Sequence, residues 1–207
     1  MAPDDVPVIG PGAVVWFTGL PSSGKSTIAR ALYERLLERG VAAELLDGSE
    51  VRESLSRGLG FSREDREEHV RRMGYVAKLL SRNGVIAICA AVSPYRSTRD
   101  EVRRNTTNFV EVFVDCPVEV AEQRDSEGWY ARARRGEVPE FTGVNAPYEP
   151  PREPEVHIVG ATDSVEDAVG KVERALGALR LLPGASDTDQ VAQDQELRRR
   201  MGALGYI

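Results

Sequence analysis

The residues most able to do chemistry form one run near the start of the chain. An apolar stretch at 14–17 leads into Gly19-x-x-x-x-Gly24-Lys25-Ser26, a spacing typical of a phosphate-binding loop between a strand and a helix. The glycines permit backbone angles that turn successive N–H groups toward phosphate oxygens, Lys25 supplies positive charge, and Ser26 is a typical Mg²⁺ ligand. The pattern predicts that the chain handles a nucleoside triphosphate. The predicted loop consists of Gly19, Leu20, Pro21, Ser22, Ser23, Gly24, Lys25, Ser26 and Thr27.

Length and composition bound the other possibilities. A chain of 207 residues that is 41% hydrophobic and 29% charged is typical of a globular domain with a substantial core. Its net charge of −6 argues against a general nucleic-acid or membrane-surface binder. Cys89 and Cys116 lie in or beside apolar runs, which favours reduced core thiols. Because no signal-like segment or run of roughly 18 apolar residues is found, we expect a cytoplasmic protein.

Strand and helix patterns alternate along the chain and predict how the loop is held. The predicted strands are 13–18, 41–46, 85–92, 109–114 and 156–159, and the predicted helices are 26–38, 62–82, 99–104, 118–124 and 165–182. Such alternation predicts an α/β fold of the three-layer P-loop NTPase type, with a parallel five-stranded sheet and helices on both faces. We expect strand 85–92, which is uniformly apolar, to be central.

The chain divides into three parts on this pattern. Residues 1–12 are predicted to be a flexible lead-in, 13–182 the phosphate-loop domain, and 183–207 a tail that contains an amphipathic helical pattern. Residues 125–154 interrupt the alternation and are too long for an ordinary connector, which favours a lid or binding loop. Arginines in a lid can neutralise charge on a transferring phosphoryl group, and this segment offers Arg132, Arg134 and Arg135. The alternative is a partly disordered insertion.

Polar residues follow two of the predicted strands. Asp47 follows the second strand and Ser93 the third, and ligands of open parallel sheets bind beyond the carboxyl ends of strands. Asp47 is therefore a candidate ligand of metal or substrate, although an Asp that only caps a helix explains the local sequence equally well. Charged residues also crowd the first half of helix 62–82, including Arg66 and His69. A solvated charged face is the alternative for that run.

Several short motifs occur in a specific order along the chain. They are Phe-Thr-Gly-Leu at 17–20, Leu-Asp-Gly at 46–48, Gly-Leu-Gly-Phe-Ser at 58–62, Ser-Pro-Tyr-Arg at 93–96, Val-Phe-Val-Asp-Cys-Pro at 112–117 and Phe-Thr-Gly at 141–143. In this order the chain resembles the adenylylsulfate kinase (APS kinase) family of P-loop kinases from about residue 13 to 182. The resemblance implies transfer of the ATP γ-phosphoryl group to the 3′-hydroxyl of adenosine 5′-phosphosulfate (APS) in sulfate assimilation. It also implies ATP and Mg²⁺ as cofactors, a small nucleotide substrate and a homodimer.

The same resemblance implies roles for individual residues. Phe61 and Phe141 would sandwich the substrate adenine, and Arg52 and Arg66 would hold the phosphosulfate. Ser93 matches a serine described in the family as a phosphoserine intermediate, but we expect it to position substrate, because direct transfer needs only alignment and charge neutralisation. The implied catalytic residues are Lys25, Asp47 and Ser93, and the implied substrate-binding residues are Asp47, Ser49, Arg52, Phe61, Arg66, His69, Ser93 and Phe141.

Three positions depart from the family pattern. Ser49 stands where the second acid of Asp-Gly-Asp is expected, His69 where an asparagine faces the substrate, and Glu127 where the lid carries a lysine. These changes are compatible with another hydroxyl acceptor, or with a nucleotide-binding relative that has lost turnover. They are equally compatible with compensation, since Glu50 adjoins Ser49 and a histidine still donates a hydrogen bond.

Overall fold

The computed structural model describes residues 10–182. Most of the predicted lead-in and the whole predicted tail lie outside the described residues. Within them, Gly12 is already held, because its carbonyl accepts a bond from Asn108 Nδ2 at 2.9 Å. The elements in chain order are β1 (Ala13–Thr18), α1 (Lys25–Glu38), β2 (Ala43–Asp47), α2 (Gly48–Glu53), α3 (Arg63–Ser81), β3 (Ile86–Ala90), α4 (Arg96–Asn105), β4 (Phe109–Asp115), α5 (Val118–Arg124), α6 (Trp129–Arg134), β5 (Val156–Val159) and α7 (Val165–Ala178).

The five strands form one parallel sheet in the order β2-β3-β1-β4-β5. This confirms the predicted P-loop NTPase-type α/β fold. The middle strand is β1, every residue of which is buried, while the strand predicted to be central, β3, lies beside it. Val15 is in register with Ile88 on one side and Val110 on the other, so the strand bearing the phosphate loop is held from both edges.

Alternation along β1 divides the core into two layers. Val15 and Phe17 pack on one face, in the cluster that includes α1 and α7 residues. Val14 and Trp16 pack on the other face with residues of α3. Because successive side chains of a strand point to opposite faces, one apolar run fills both layers. Between residues 10 and 182, no helix is long and apolar enough to span a membrane.

Two helices and several boundaries differ from the sequence prediction. The pattern did not predict the short helices α2 and α6. Helix α7 ends at Ala178, because Arg180 adopts a positive φ of 56° and Leu181 N donates to Leu176 O at 2.8 Å. Helix α4 begins at Arg96 instead of 99, where Arg96 N donates to the Glu149 carboxylate at 2.8 Å. That cap comes from a residue far along the chain, so no local signal marks it.

The segment 125–154 packs on the domain. Tyr130 is fully buried, and its hydroxyl donates to the Pro21 carbonyl in the phosphate loop at 2.9 Å. The Phe141 ring meets the Tyr130 ring edge-on, with 4.9 Å between centroids. The alternative of a disordered insertion is therefore not supported, and the segment lies in contact with the phosphate loop.

Candidate active site

The phosphate loop has the backbone geometry that its glycines predict. Gly19 has a φ of +151°, and a Cβ there would lie 2.5 Å from the Val114 carbonyl oxygen, so only glycine fits. Gly24 has a φ of +102° and occupies the N-cap of α1. No side chain caps this helix and its first turn has no acidic residue. Ser23 N donates to the Leu20 carbonyl at 3.3 Å, and the first N–H groups of α1 are left for an anion.

Lys25 is folded back onto its own loop. The side chain is 7% exposed, and Nζ donates to the Leu20 carbonyl at 2.5 Å and to Ser23 Oγ at 3.3 Å. Burial lowers the pKa of Lys25 to about 8, although the Asp47 carboxylate acts in the opposite direction. An anion bound in the loop would favour the protonated form of Lys25, which burial disfavours.

Asp47 has both of the roles that its sequence context allowed. It caps α2, accepting bonds from Ser49 N at 3.0 Å and Ser49 Oγ at 2.5 Å, and it also lines the main cavity. Burial acts to raise the pKa of Asp47, but hydrogen bonding from Ser26 and Ser49 outweighs it and holds that pKa below the ordinary value. An ionised carboxylate therefore lies beside the predicted metal ligand Ser26.

These oxygen donors fit a Mg²⁺ ion that is held mainly by phosphates. Mg²⁺ is typically bound by one or two carboxylates, with phosphate and water completing its shell. Asp47 and Ser26 line the same cavity, while no cluster of three or more His, Cys, Asp or Glu side chains occurs in the described part of the chain. One carboxylate and one hydroxyl therefore fit a Mg²⁺ ion whose remaining ligands are phosphate and water.

One cavity of about 370 Å³ collects the predicted site. Its lining includes every residue that was predicted to bind substrate, which are Asp47, Ser49, Arg52, Phe61, Arg66, His69, Ser93 and Phe141. Pro21, Lys25 and Ser26 join the phosphate loop to this cavity. Trp129, Val138 and Thr142 of the segment 125–154 also line it, and sequence reasoning did not assign them. The aromatic content of that segment was the available signal.

Two arginines in the cavity hold no carboxylate. Their guanidinium groups lie 4.6 Å (Arg52) and 5.3 Å (Arg66) from the Phe61 ring centroid. Arg52 donates to the Gly60 carbonyl at 3.0 Å, and Arg66 donates to the carbonyls of Phe61 at 2.7 Å and Glu140 at 2.6 Å. Neither forms a salt bridge within residues 10–182. Burial lowers the pKa of both, and Arg66 lowers that of Arg52 further, so the pair favours a bound anion.

His69 is buried and neutral. Its Nδ1 lies 2.9 Å from Ser56 Oγ, and burial, together with the charges of Arg52 and Arg72, lowers its pKa to about 4. The charged residues in the first half of α3 therefore fall into two groups, one in the cavity and one on the surface. Arg66 and His69 line the cavity, whereas Arg71 pairs with Glu101 on the surface, as a solvated face would.

Ser93 is held from the core side. Its Oγ accepts a bond from Trp16 Nε1 at 3.0 Å and lies 3.1 Å from Thr18 Oγ1. The residue is 3% exposed and has a positive φ of 38°. The hydroxyl is thus part of a buried network at the wall of the cavity.

The structure does not bring the three predicted lid arginines into the cavity. Arg132 lies 3.5 Å and Arg135 2.6 Å from Glu137 carboxylate oxygens, and Arg134 lies 2.7 Å from Glu122. These acids lie close to the arginines along the chain. The ion pairs neutralise the positive charges that the sequence prediction assigned to stabilising a transferring phosphoryl group. That role is not supported by this geometry.

One of the three departures, Glu127, and the candidate compensating acid, Glu50, lie outside the cavity lining. Glu127 accepts a bond from Trp129 Nε1 at 2.5 Å and does not line the cavity. Glu50 is exposed and lines a separate groove together with Leu46 and Leu55. It therefore does not supply the carboxylate that Ser49 lacks.

A parallel sheet of this order, a phosphate loop ahead of α1 and a cavity with a second anion site define a P-loop kinase. A sequence profile described as adenylylsulphate kinase matches residues 11–159. The chain belongs to the adenylylsulphate kinase family, and it is an ATP-dependent kinase.

Individual relatives agree with this assignment. The chain is 50% identical over 171 residues to the adenylyl-sulfate kinase of Rippkaea orientalis, covering 83% of this chain and 94% of that one. It is 51% identical over 169 residues to the adenylyl-sulfate kinase of Deinococcus deserti, covering 82% and 93%. A solved Mycobacterium tuberculosis APS kinase in complex with AMPPNP and APS has a TM-score of 0.77 at 39% identity, covering 80% of this chain and 98% of that one.

Proposed function

We propose that this protein transfers the γ-phosphoryl group of ATP to the 3′-hydroxyl of APS and forms 3′-phosphoadenylylsulfate. The observation that carries the proposal is the single cavity that joins Lys25 of the phosphate loop to Arg52 and Arg66. A kinase acting on a neutral acceptor has no need for one buried and one half-buried arginine without carboxylate partners. The solved M. tuberculosis relative, bound to AMPPNP and APS, supports the same assignment.

The acceptor side is assigned from its charges and rings. We assign the phosphosulfate to Arg52 and Arg66, because a guanidinium group matches two anionic oxygens. We assign the adenine to Phe61 and Phe141, both of which line the cavity. Phe61 is 53% exposed, and base stacking on an aromatic ring contributes about 1–3 kcal/mol per base.

The donor side is assigned to the phosphate loop and Asp47. Residues 19–27 hold the ATP phosphates, Lys25 neutralises the outer phosphate charge, and Ser26 with Asp47 are the protein ligands for Mg²⁺. The metal, when bound with ATP, supplies charge neutralisation on the transferring group. Asp47 stays ionised at neutral pH because its pKa is lowered, and as the carboxylate in the cavity lining it is our candidate to accept the proton of the attacking hydroxyl.

Ser93 is assigned a positioning role. Its hydroxyl accepts from Trp16 and is 3% exposed, so it is engaged inside the wall of the cavity. A phosphoserine there would place a dianion at a position that is 3% exposed, where loss of hydration disfavours charge. Direct transfer to the acceptor hydroxyl requires no such intermediate.

The departures from the family pattern favour APS over another acceptor, with one exception. His69 is bonded to Ser56 and Glu127 to Trp129, so neither places an unpaired charge in the cavity. With Ser49 in place of an acid, Asp47 is the lone carboxylate among the described residues that line the cavity. This observation keeps a different hydroxyl acceptor as the second candidate.

A coupled ADP-release assay with Mg-ATP separates the two candidates. Turnover with APS, with a KM well below that for adenosine or 5′-AMP, supports the proposal. Absence of turnover with APS while ATP still binds refutes it, and turnover of another nucleoside or metabolite would then favour the second candidate.

Assembly and location complete the proposal. We propose a homodimer, as the family resemblance implies, although one relative, from Thiobacillus denitrificans, was solved as a hexamer. Light scattering should then give a mass close to twice 22.7 kDa, and a sixfold mass would contradict it.

We propose a cytoplasmic location, supported by the ATP donor and by two buried free thiols, and cell fractionation tests it.

A further inference from the structure

Arg99 on α4 is a buried cation that the assignments above do not use. Its side chain is 1% exposed, and its three donor groups meet three different acceptors at the same distance. Nε donates to Glu111 Oε1 at 2.7 Å, one terminal nitrogen to the Ser93 carbonyl at 2.7 Å, and the other to the Glu149 carbonyl at 2.7 Å. The charge is thus neutralised by Glu111, and both remaining bonds hold backbone.

The two carbonyls belong to distant parts of the chain. Ser93 begins the turn after β3 that lines the cavity, and Glu149 lies where the segment 125–154 returns to the domain. Direct contacts reinforce this junction. Glu149 N donates to the Pro94 carbonyl at 2.9 Å, and the Tyr148 hydroxyl lies 2.9 Å from Thr18 Oγ1.

We propose that Arg99 is a positioning residue that holds the Ser93 turn and the end of the segment 125–154 in one register, so that the acceptor side of the cavity is assembled as a unit. The inference rests on the proposed function for the identity of the acceptor. Arg99 does not line the cavity itself, whereas Ser93 on one side of the junction and Phe141 in the segment on the other side do. Its effect on the acceptor therefore passes through backbone that it holds.

The geometry requires arginine rather than a simple positive charge. The planar guanidinium directs donors to three acceptors at once, while a lysine presents a point charge on a flexible stem. Arg99→Lys should keep the ion pair with Glu111 and lose the simultaneous grip on Ser93 and Glu149. Arg103 is the matched control, because it also contacts Glu111, at 3.2 Å, but does not touch either carbonyl.

Steady-state kinetics of the full-length chain test the proposal. Losing a hydrogen bond to a charged donor corresponds to about a 10-fold or larger loss in affinity. Arg99→Lys should therefore raise the KM for APS about 10-fold and leave the KM for ATP within about twofold. Arg103→Gln should leave both KM values within about twofold. A parallel rise in both KM values, or the same acceptor effect from Arg103→Gln, would overturn the proposal.

A second readout does not depend on turnover. The indole N–H of Trp16 donates to Ser93 Oγ, so its ¹⁵N–¹H resonance reports on the Ser93 turn. The chain contains two tryptophans, and Trp129→Leu assigns the peaks by elimination. Arg99→Lys should shift the Trp16 resonance. Arg103→Gln is the control for the kinetics alone, because the Arg103 guanidinium lies 4.8 Å from the centroid of the Phe109 ring, which stacks on Trp16. An unmoved resonance in Arg99→Lys would overturn the coupling.

Failure of the proposed function and failure of the role of Arg99 give different experimental outcomes. If the wild type fails to phosphorylate APS, the proposed function fails, and the Trp16 resonance still decides whether Arg99 holds the turn. If Arg99→Lys does not fold, Tyr148→Phe carries the test, because it removes the bond to Thr18 at the same junction. Tyr148→Phe should raise the KM for APS about threefold by weakening one neutral hydrogen bond, and an unchanged value would count against the proposal.

Discussion

The buried ammonium of Lys25 should make the unliganded enzyme less stable than a variant without it. Burial lowers its pKa from 10.5 to about 8, which corresponds to about 3 kcal/mol against the charged form in the folded state. Lys25→Met removes that cost, but it also removes the charged hydrogen bond to Leu20, worth about 1.5 kcal/mol, and a long, weak bond to Ser23 at 3.3 Å. At pH 7 the variant should therefore be more stable by about 1 kcal/mol, with no phosphoryl transfer.

The stability difference between the wild type and Lys25→Met should depend on pH. A lysine whose pKa is lower in the folded than in the unfolded state binds fewer protons when folded, so wild-type stability rises from about pH 8 to 10.5. Below pH 8 the full cost is present. The advantage of Lys25→Met should therefore be constant below about pH 8, shrink above it, and be lost or reversed near pH 10.5.

Urea unfolding of both proteins between pH 6.5 and 10.5 measures the difference, and thermal unfolding should show a rise of about 2–4 °C for the variant at pH 7. Mg-ATP should stabilise the wild type and not the variant. Lys78→Met, on α3 outside the cavity lining, is the control and should change stability by less than about 0.5 kcal/mol. A Lys25→Met variant that is less stable than wild type at pH 7 would refute the reasoning.

Three further predictions concern the cavity. Ser49→Asp places a second carboxylate beside Asp47, so it should lower the Mg²⁺ concentration for half-maximal rate and raise APS turnover; unchanged or lower turnover would show that Ser49 is not a damaged acid position. Arg66→Ala removes a guanidinium that donates to the Glu140 carbonyl and that we assign to the acceptor anion. It should raise the KM for APS at least about 10-fold with little change for ATP, and an equal change for both substrates would contradict its assignment. Ser93→Ala should retain at least about a tenth of the wild-type kcat, because a positioning hydroxyl is dispensable for direct transfer, whereas loss of all turnover would favour a phosphoserine intermediate.

Local signals in the sequence were sufficient to predict the position of the phosphate loop and the residues beside it. Strand β1 was predicted with its observed bounds, because an apolar run ending in glycine is decisive by itself. Asp47 and Ser93 were placed near the loop because parallel strands end at one edge of a sheet. The cavity residues Arg52, Phe61 and Phe141 came from the family resemblance, and the structure brings them together, although their roles stay predictions.

Long-range partners were beyond the reach of the sequence. Arg99 looked like the start of a helix, and its contact with Glu149 requires the return of a segment 50 residues later. The lid arginines were the reverse case. Their number suggested a function toward phosphate, but Glu122 and Glu137 lie close enough to pair with them once α5 and α6 form. Spacing alone does not tell a paired arginine from a free one.

The electrostatics of the cavity explain how an acidic protein binds polyanions. The chain carries a net charge of −6, yet three cationic side chains, Lys25, Arg52 and Arg66, line one cavity. Asp47 also lines it, and its lowered pKa keeps that carboxylate ionised. Charges on the outer surface are screened over about 8 Å at physiological salt, whereas partly buried groups are screened much less. The field felt by a bound nucleotide is therefore set by these few groups. Ser49, in place of an acid, makes that field more positive, which favours anion binding and leaves Asp47 as the one carboxylate in our proposed Mg²⁺ site with Ser26.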